Sequence, residues 1–61
     1  MIEATVHFEE PGKPTTGAKR RFARVPVQGE FIRTANGRWQ VGTVEWTLEG
    51  QPLVVASKVA G

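Results

Sequence analysis

Two turn signals, Asn36-Gly37 and Glu49-Gly50, bracket the stretch from Arg38 to Leu48 and make it one strand shared by two hairpins. Asn-Gly is the strongest short hairpin signal, because a type I′ turn needs positive φ at both central residues. If Asn36-Gly37 is the whole loop, Ala35 faces Arg38, Thr34 faces Trp39, and Ile32 faces Val41. Phe31 then lies opposite Gly42, its ring covering the bare spot on the strand. A loop made of Glu49-Gly50 sets Trp46 against Leu53 and Val44 against Val55, apolar against apolar both times. The strand that follows is expected over Pro52 to Val59, with proline tolerated at its first position.

The shared strand carries a conflict of parity. Trp39 and Val41 are odd, whereas Val44, Trp46 and Leu48 are even, so a straight strand sends the two groups to opposite faces. A bulge at Gly42-Thr43 absorbs one residue and returns all of them to one face, with the tryptophans as the main core payload. The alternative is a flat central strand apolar on both sides. The bulge is favoured, since an isolated strand glycine commonly marks one.

Residues 2–9 alternate cleanly: Ile2, Ala4, Val6 and Phe8 on one side, Glu3, Thr5, His7 and Glu9 on the other. That is a half-buried strand. Residues 10–19, rich in Pro, Gly and Thr, are expected as a flexible loop, and Arg20 to Val27 as a second strand ending near Pro26. Gln28-Gly29 turns the chain towards Glu30. The expected fold is all-β, a five-stranded antiparallel small barrel with a kinked central strand. It fills one domain, residues 1–61, with no helix beyond a 3₁₀ turn.

A chain of 61 residues buries only about 60% of its unfolded surface, so stability is marginal without a staple. The absence of cysteine excludes disulfides and Cys-based zinc sites, and a single histidine makes no metal centre alone. Self-association is the remaining support.

The order of Val25-Pro26, Gly29-Glu30-Phe31-Ile32, the Asn36-Gly37 hairpin, the Trp-bearing strand and a closing apolar strand resembles the SH3-like small-barrel class. The likeness covers about Val25 to Val59 and implies a fold and no particular activity. Trp39-Gln40-Val41-Gly42-Thr43-Val44-Glu45-Trp46 is similar to a strand of the plasmid-borne trimethoprim-resistant dihydrofolate reductases, themselves SH3-like. Those enzymes line a pore with a Val-Gln-Ile-Tyr run. Here the comparable stretch is Leu53-Val54-Val55-Ala56-Ser57, and the chain has no tyrosine. That likeness therefore also implies only a fold.

Charge is uneven along the chain. The formal net charge is +2, yet Glu3, Glu9 and Glu10 make the start acidic, while Lys13 to Arg24 holds five cations and no acid. No apolar run approaches the roughly 20 residues of a membrane span, and Glu3 sits where a signal peptide carries a cation. A soluble, cytoplasmic protein with no membrane contact is expected.

An enzyme is not expected. His7 has no cysteine partner, Ser57 lies in no nucleophile motif, Glu9-Glu10 adjoin a loop with nothing to bury them, and the glycines form no phosphate loop. No cofactor or metal is implied. The residues that point to a partner are Lys19, Arg20, Phe22 and Arg24, cations flanking a ring, with Arg33 and Arg38 extending the patch. Such a face binds DNA or RNA by bridging phosphates and stacking a base. The competing use of Phe22 is as a core residue whose arginines solvate an edge strand. A second class of partner is another protein or a second copy of the chain, met through apolar residues left on the far faces, Phe31 and Val54 with Ala56.

Overall fold

The computed structural model describes residues 1–59. Five strands, β1 (Ile2–Glu9), β2 (Thr16–Phe22), β3 (Phe31–Thr34), β4 (Gly37–Trp46) and β5 (Pro52–Lys58), form one sheet of order β2-β1-β5-β4-β3. The sheet curls into a half-barrel. β1 and β5 run parallel and the other neighbours antiparallel, so the sheet is mixed rather than purely antiparallel. No helix among the described residues is long and apolar enough to cross a membrane.

Period-two alternation selects the inner face. From β1 come Ala4, Val6 and Phe8, from β4 Trp39 and Val41, and from β5 Val54 and Ala56; together these make the buried core. Phe8 meets Trp39 edge-on, with ring centroids 4.9 Å apart. No polar or charged residue is buried among the described residues.

β2 and β3 are the two edges of the sheet, so the linker between them must cross from one side to the other. Val25 packs against the core on the way and Pro26 is buried. A proline costs nothing there, because the linker has no ladder to join. The linker then docks on β4: Gly29 donates its N–H to the Val41 carbonyl at 2.8 Å, and Val41 donates back to Glu30 at 2.8 Å. Glu30 in turn accepts the Val27 N–H at 2.7 Å and both arms of the Arg24 guanidinium. The Gly29-Glu30 pair thus holds the crossover in place.

The bulge is present. Val41 pairs with Ala56 and Thr43 with Val55, leaving Gly42 as the extra residue. Val44 consequently returns to the side of Trp39 and Val41, packed half-buried against the core.

Both hairpin registers differ from the expected ones. Thr34 pairs with Gly37 and Phe31 with Gln40, so the first loop is Ala35-Asn36 and Phe31 does not cover Gly42. Gly37 has φ +133°, while among the described residues no non-glycine residue has positive φ, which excludes a type I′ turn with Asn36 in the left-handed region. Thr34 organises the loop instead. Its Oγ1 accepts from the Asn36 N–H at 3.2 Å and from Trp39 Nε1 at 2.9 Å.

At the second turn Thr47 caps a longer loop, its N–H donating to the Gln51 carbonyl at 3.0 Å and its carbonyl accepting from Gly50 at 2.9 Å. Trp46 therefore faces Pro52 and Val44 faces Val54, one residue away from the expected pairing. A one-residue slip inverts a strand. Pro52, Val54 and Ala56 point inward, and Leu53 and Val55 lie half-buried on the outer face. Val54, expected on an exposed face with Phe31, is 0% exposed and belongs to the core. Trp46 and Leu48, expected inside, are 63% and 105% exposed: Trp46 ends β4 opposite Pro52, and Leu48 lies in the turn beyond the strand.

β2 also starts earlier than expected. It pairs with β1 from Phe8↔Thr16 to Ile2↔Phe22, so the intervening loop is shortened to residues 10–15, and 23–27 lie outside any strand.

Candidate nucleic-acid interface

The six residues expected to form one cationic stripe separate into four places. Alternation along β2 sends Ala18, Arg20 and Phe22 to the inner face and Lys19 and Arg21 to the outer one. Phe22 is half-buried and packs against the core, so it does not stand out between arginines as a stacking platform. Arg24 lies beyond the strand, bonded to Glu30 by Nη1 at 2.9 Å and by Nη2. That bidentate pair, with the Val27 N–H, holds the Glu30 carboxyl down at about 2, well below its ordinary 4.5, and raises Arg24 above its usual value. Arg24 is thus committed to the linker. On the outer face of β2, Arg21 pairs across the sheet with Glu3 and Lys19 with Thr5, so an acid interrupts the positive charge there.

The remaining two are brought together, with a third residue the sequence had assigned elsewhere. Arg33 on β3 and Arg38 on β4 are directly opposite in the ladder, and Phe31 lies opposite Gln40 on the same outer face. The Arg38 guanidinium carbon stands 4.4 Å from the centroid of the Phe31 ring, which is 52% exposed. Ion pairs among the described residues join Lys13 and Lys58 to Glu10 and Arg24 to Glu30, leaving Arg33 and Arg38 without a carboxylate. A groove of about 250 Å³ at the hairpin tip is lined by both arginines with Thr34, Ala35 and Gly37.

The arrangement has a definite chemistry. Like charges directly opposite in an antiparallel pair repel, and an anion between them relieves the repulsion. A guanidinium held flat on a ring offers the planar, forked donor set that suits a phosphate oxygen or the face of a base. The hairpin register was the missing information: with Phe31 opposite Gly42 the ring belonged to the strand's bare spot, and with Phe31 opposite Gln40 it comes under Arg38. The spacing Phe31-x-Arg33 alone does place both side chains on one face.

No grouping of three or more His, Cys, Asp or Glu residues able to hold a metal ion occurs among the described residues. No family model matches the chain, and no curated protein or solved structure matches it.

Proposed function

We propose that this protein is a small non-enzymatic binding module that engages single-stranded nucleic acid through the outer face of the β3–β4 hairpin. Arg33 takes a phosphate, and Arg38 with the half-exposed Phe31 ring offers a stacking surface to a neighbouring base. One observation carries the proposal: two unneutralised arginines opposed on the ladder, one of them seated on an exposed aromatic ring. Single strands are favoured over duplex because stacking requires a splayed base. The SH3-like character of the half-barrel is part of the same proposal and rests on the Gly29-Glu30 opening and the kinked central strand.

The test is fluorescence anisotropy with labelled single- and double-stranded DNA and RNA over a range of salt. One phosphate contact, through Arg33, gives a slope of log K against log[salt] of about −0.7 for a single strand. Absence of binding to every oligonucleotide at low ionic strength would refute it.

Self-association is the alternative, and a different observation favours it. The chain exposes 4363 Å², whereas a folded monomer of this size exposes about 3,900 Å². Trp46 and Leu48 contribute to that exposed surface. Sedimentation equilibrium that returns the monomer mass at high protein concentration removes this alternative.

A further inference from the structure

The inner face opens, at the end of the half-barrel where β1 finishes and β2 begins, into a cleft of about 560 Å³. That is within the size range of small-molecule sites. Its polar lining is unbalanced: Lys13, Arg20 and Lys58 stand against the single carboxylate of Glu10. The whole chain carries a net +2, and this one cleft accounts for an excess of that size.

The cations are held only weakly by carboxylate. Lys13 and Lys58 approach the same Glu10 oxygen at 3.6 and 3.8 Å, both beyond direct hydrogen-bond length. Arg20 has no carboxylate partner among the described residues; its Nη1 donates to the Lys19 carbonyl at 3.0 Å, and the rest of its fork is unengaged. Lys58 is fixed over the floor, donating to the Asn36 carbonyl with its Nζ 5.2 Å from the Trp39 ring centroid. The floor itself is rigid and apolar. Trp39 and Phe8 are locked edge-to-face, and the indole N–H is bonded to Thr34. Pro14 and Ala18 continue the apolar wall.

A cleft with a surplus of cations above an apolar, aromatic floor selects a ligand that carries more than one negative charge and a planar apolar group. From this we infer that the cleft binds a small phosphate monoester with an attached ring. Its phosphate displaces Glu10 from Lys13 and Lys58 and takes the free fork of Arg20. Its ring lies against Pro14 and Ala18 over the Trp39 edge. This site is on the opposite face of the sheet from the Arg33–Arg38–Phe31 surface and does not depend on it.

Phenyl phosphate is the probe, titrated into the full chain at low ionic strength and followed by the two indole N–H signals in proton–nitrogen NMR spectra. Trp39 lines the cleft and Trp46 does not, so the expected result is a saturable shift of Trp39 alone. Phenol is expected to give no shift and inorganic phosphate to bind at least tenfold more weakly. Arg20 is exposed, so Arg20→Gln keeps the fold and is expected to weaken phenyl phosphate at least fivefold, whereas Arg33→Thr leaves it unchanged. No Trp39 shift at 10 mM phenyl phosphate (a concentration on the order of the weakest useful affinities), equal affinity for inorganic phosphate, or an unaltered titration in Arg20→Gln would each overturn the inference.

Discussion

Arg33 and Arg38 stand directly across from one another on the β3–β4 ladder, and among the described residues neither has an acidic partner. A hairpin built for stability alone would place opposite charges or a β-branched pair at that position. The repulsion and the proposed function make opposite demands on the same residue, which renders the arrangement testable.

Arg33→Thr is expected to stabilise the protein by about 0.2–1 kcal/mol, since it removes the like-charge pair and adds a good strand residue. The same substitution should weaken oligonucleotide binding and reduce the magnitude of the salt slope by about 0.7. Urea denaturation and salt-dependent anisotropy measure the two effects on one preparation. Phe31→Ala, by contrast, should cost about 1–3 kcal/mol of binding while leaving the salt slope unaltered.

The two tryptophans are not equivalent. Trp39 is 5% exposed and packed on Phe8, and Trp39→Ala should cost about 3–5 kcal/mol, enough to unfold so small a domain. Trp46→Ser is expected to change stability by no more than about 0.5 kcal/mol in the monomer. Circular dichroism melts of the two variants distinguish them, and a large loss in Trp46→Ser would show that its surface is covered in solution.

Two glycines of β4 should also respond oppositely. Gly37 has φ +133°, and a Cβ there would stand 2.8 Å from Lys58 Cε. Lys58 can swing away, but the backbone strain remains, so Gly37→Ala should cost about 1–3 kcal/mol. Gly42 has no positive φ, and a Cβ there meets only the Val55 carbonyl at 3.8 Å. Gly42→Ala should therefore be neutral or stabilising by up to about 1 kcal/mol, although Gly42 is the bulge residue. Chemical denaturation of both variants checks the contrast.

The Arg24–Glu30 pair predicts a pH dependence. Arg24 and the Val27 N–H hold the Glu30 carboxyl at about 2 in the folded chain, against 4.5 without them. A carboxyl depressed by folding contributes stability that is fully present above the higher value and is lost as pH falls through the lower one. Wild-type stability should accordingly fall from about pH 4.5 towards pH 2 more steeply than that of Glu30→Gln. Subtracting the two denaturation profiles isolates this group from the other carboxyls; parallel profiles would show that the pair does not form in solution.

Much of the local structure was legible. The alternation of residues 2–9 marked β1 correctly, and the parity conflict between Trp39 and Val44 located the bulge at Gly42. The registers were not legible. A two-residue turn signal implies the shortest loop, whereas Thr34 and Thr47 each recruit nearby backbone groups and shift the closure. A shift of one residue at Thr47 was enough to exchange Val54 for Val55 in the core.

The candidate site followed the same division. That Arg33, Arg38 and Phe31 lie on strands bordering one turn was readable from residue order; that Phe31 comes beneath Arg38 depended on the register. Phe22 and Arg24 illustrate the limit from the other side. Whether a ring between arginines faces solvent or core depends on how the edge strand pairs with β1, and whether an arginine is free depends on where the linker brings Glu30.

By itself, then, the sequence determined the β class, the strand count, the bend in β4 and the lack of any covalent staple. These follow from local periodicity, glycine placement and composition. Tertiary structure alone decided the parallel pairing of β1 with β5, the crossover that Glu30 pins, and the sorting of the cations into an outer hairpin face and an inner cleft. The physical reason is that alternation fixes which residues share a face of one strand. Only pairing between strands distant in sequence fixes which face becomes the inside.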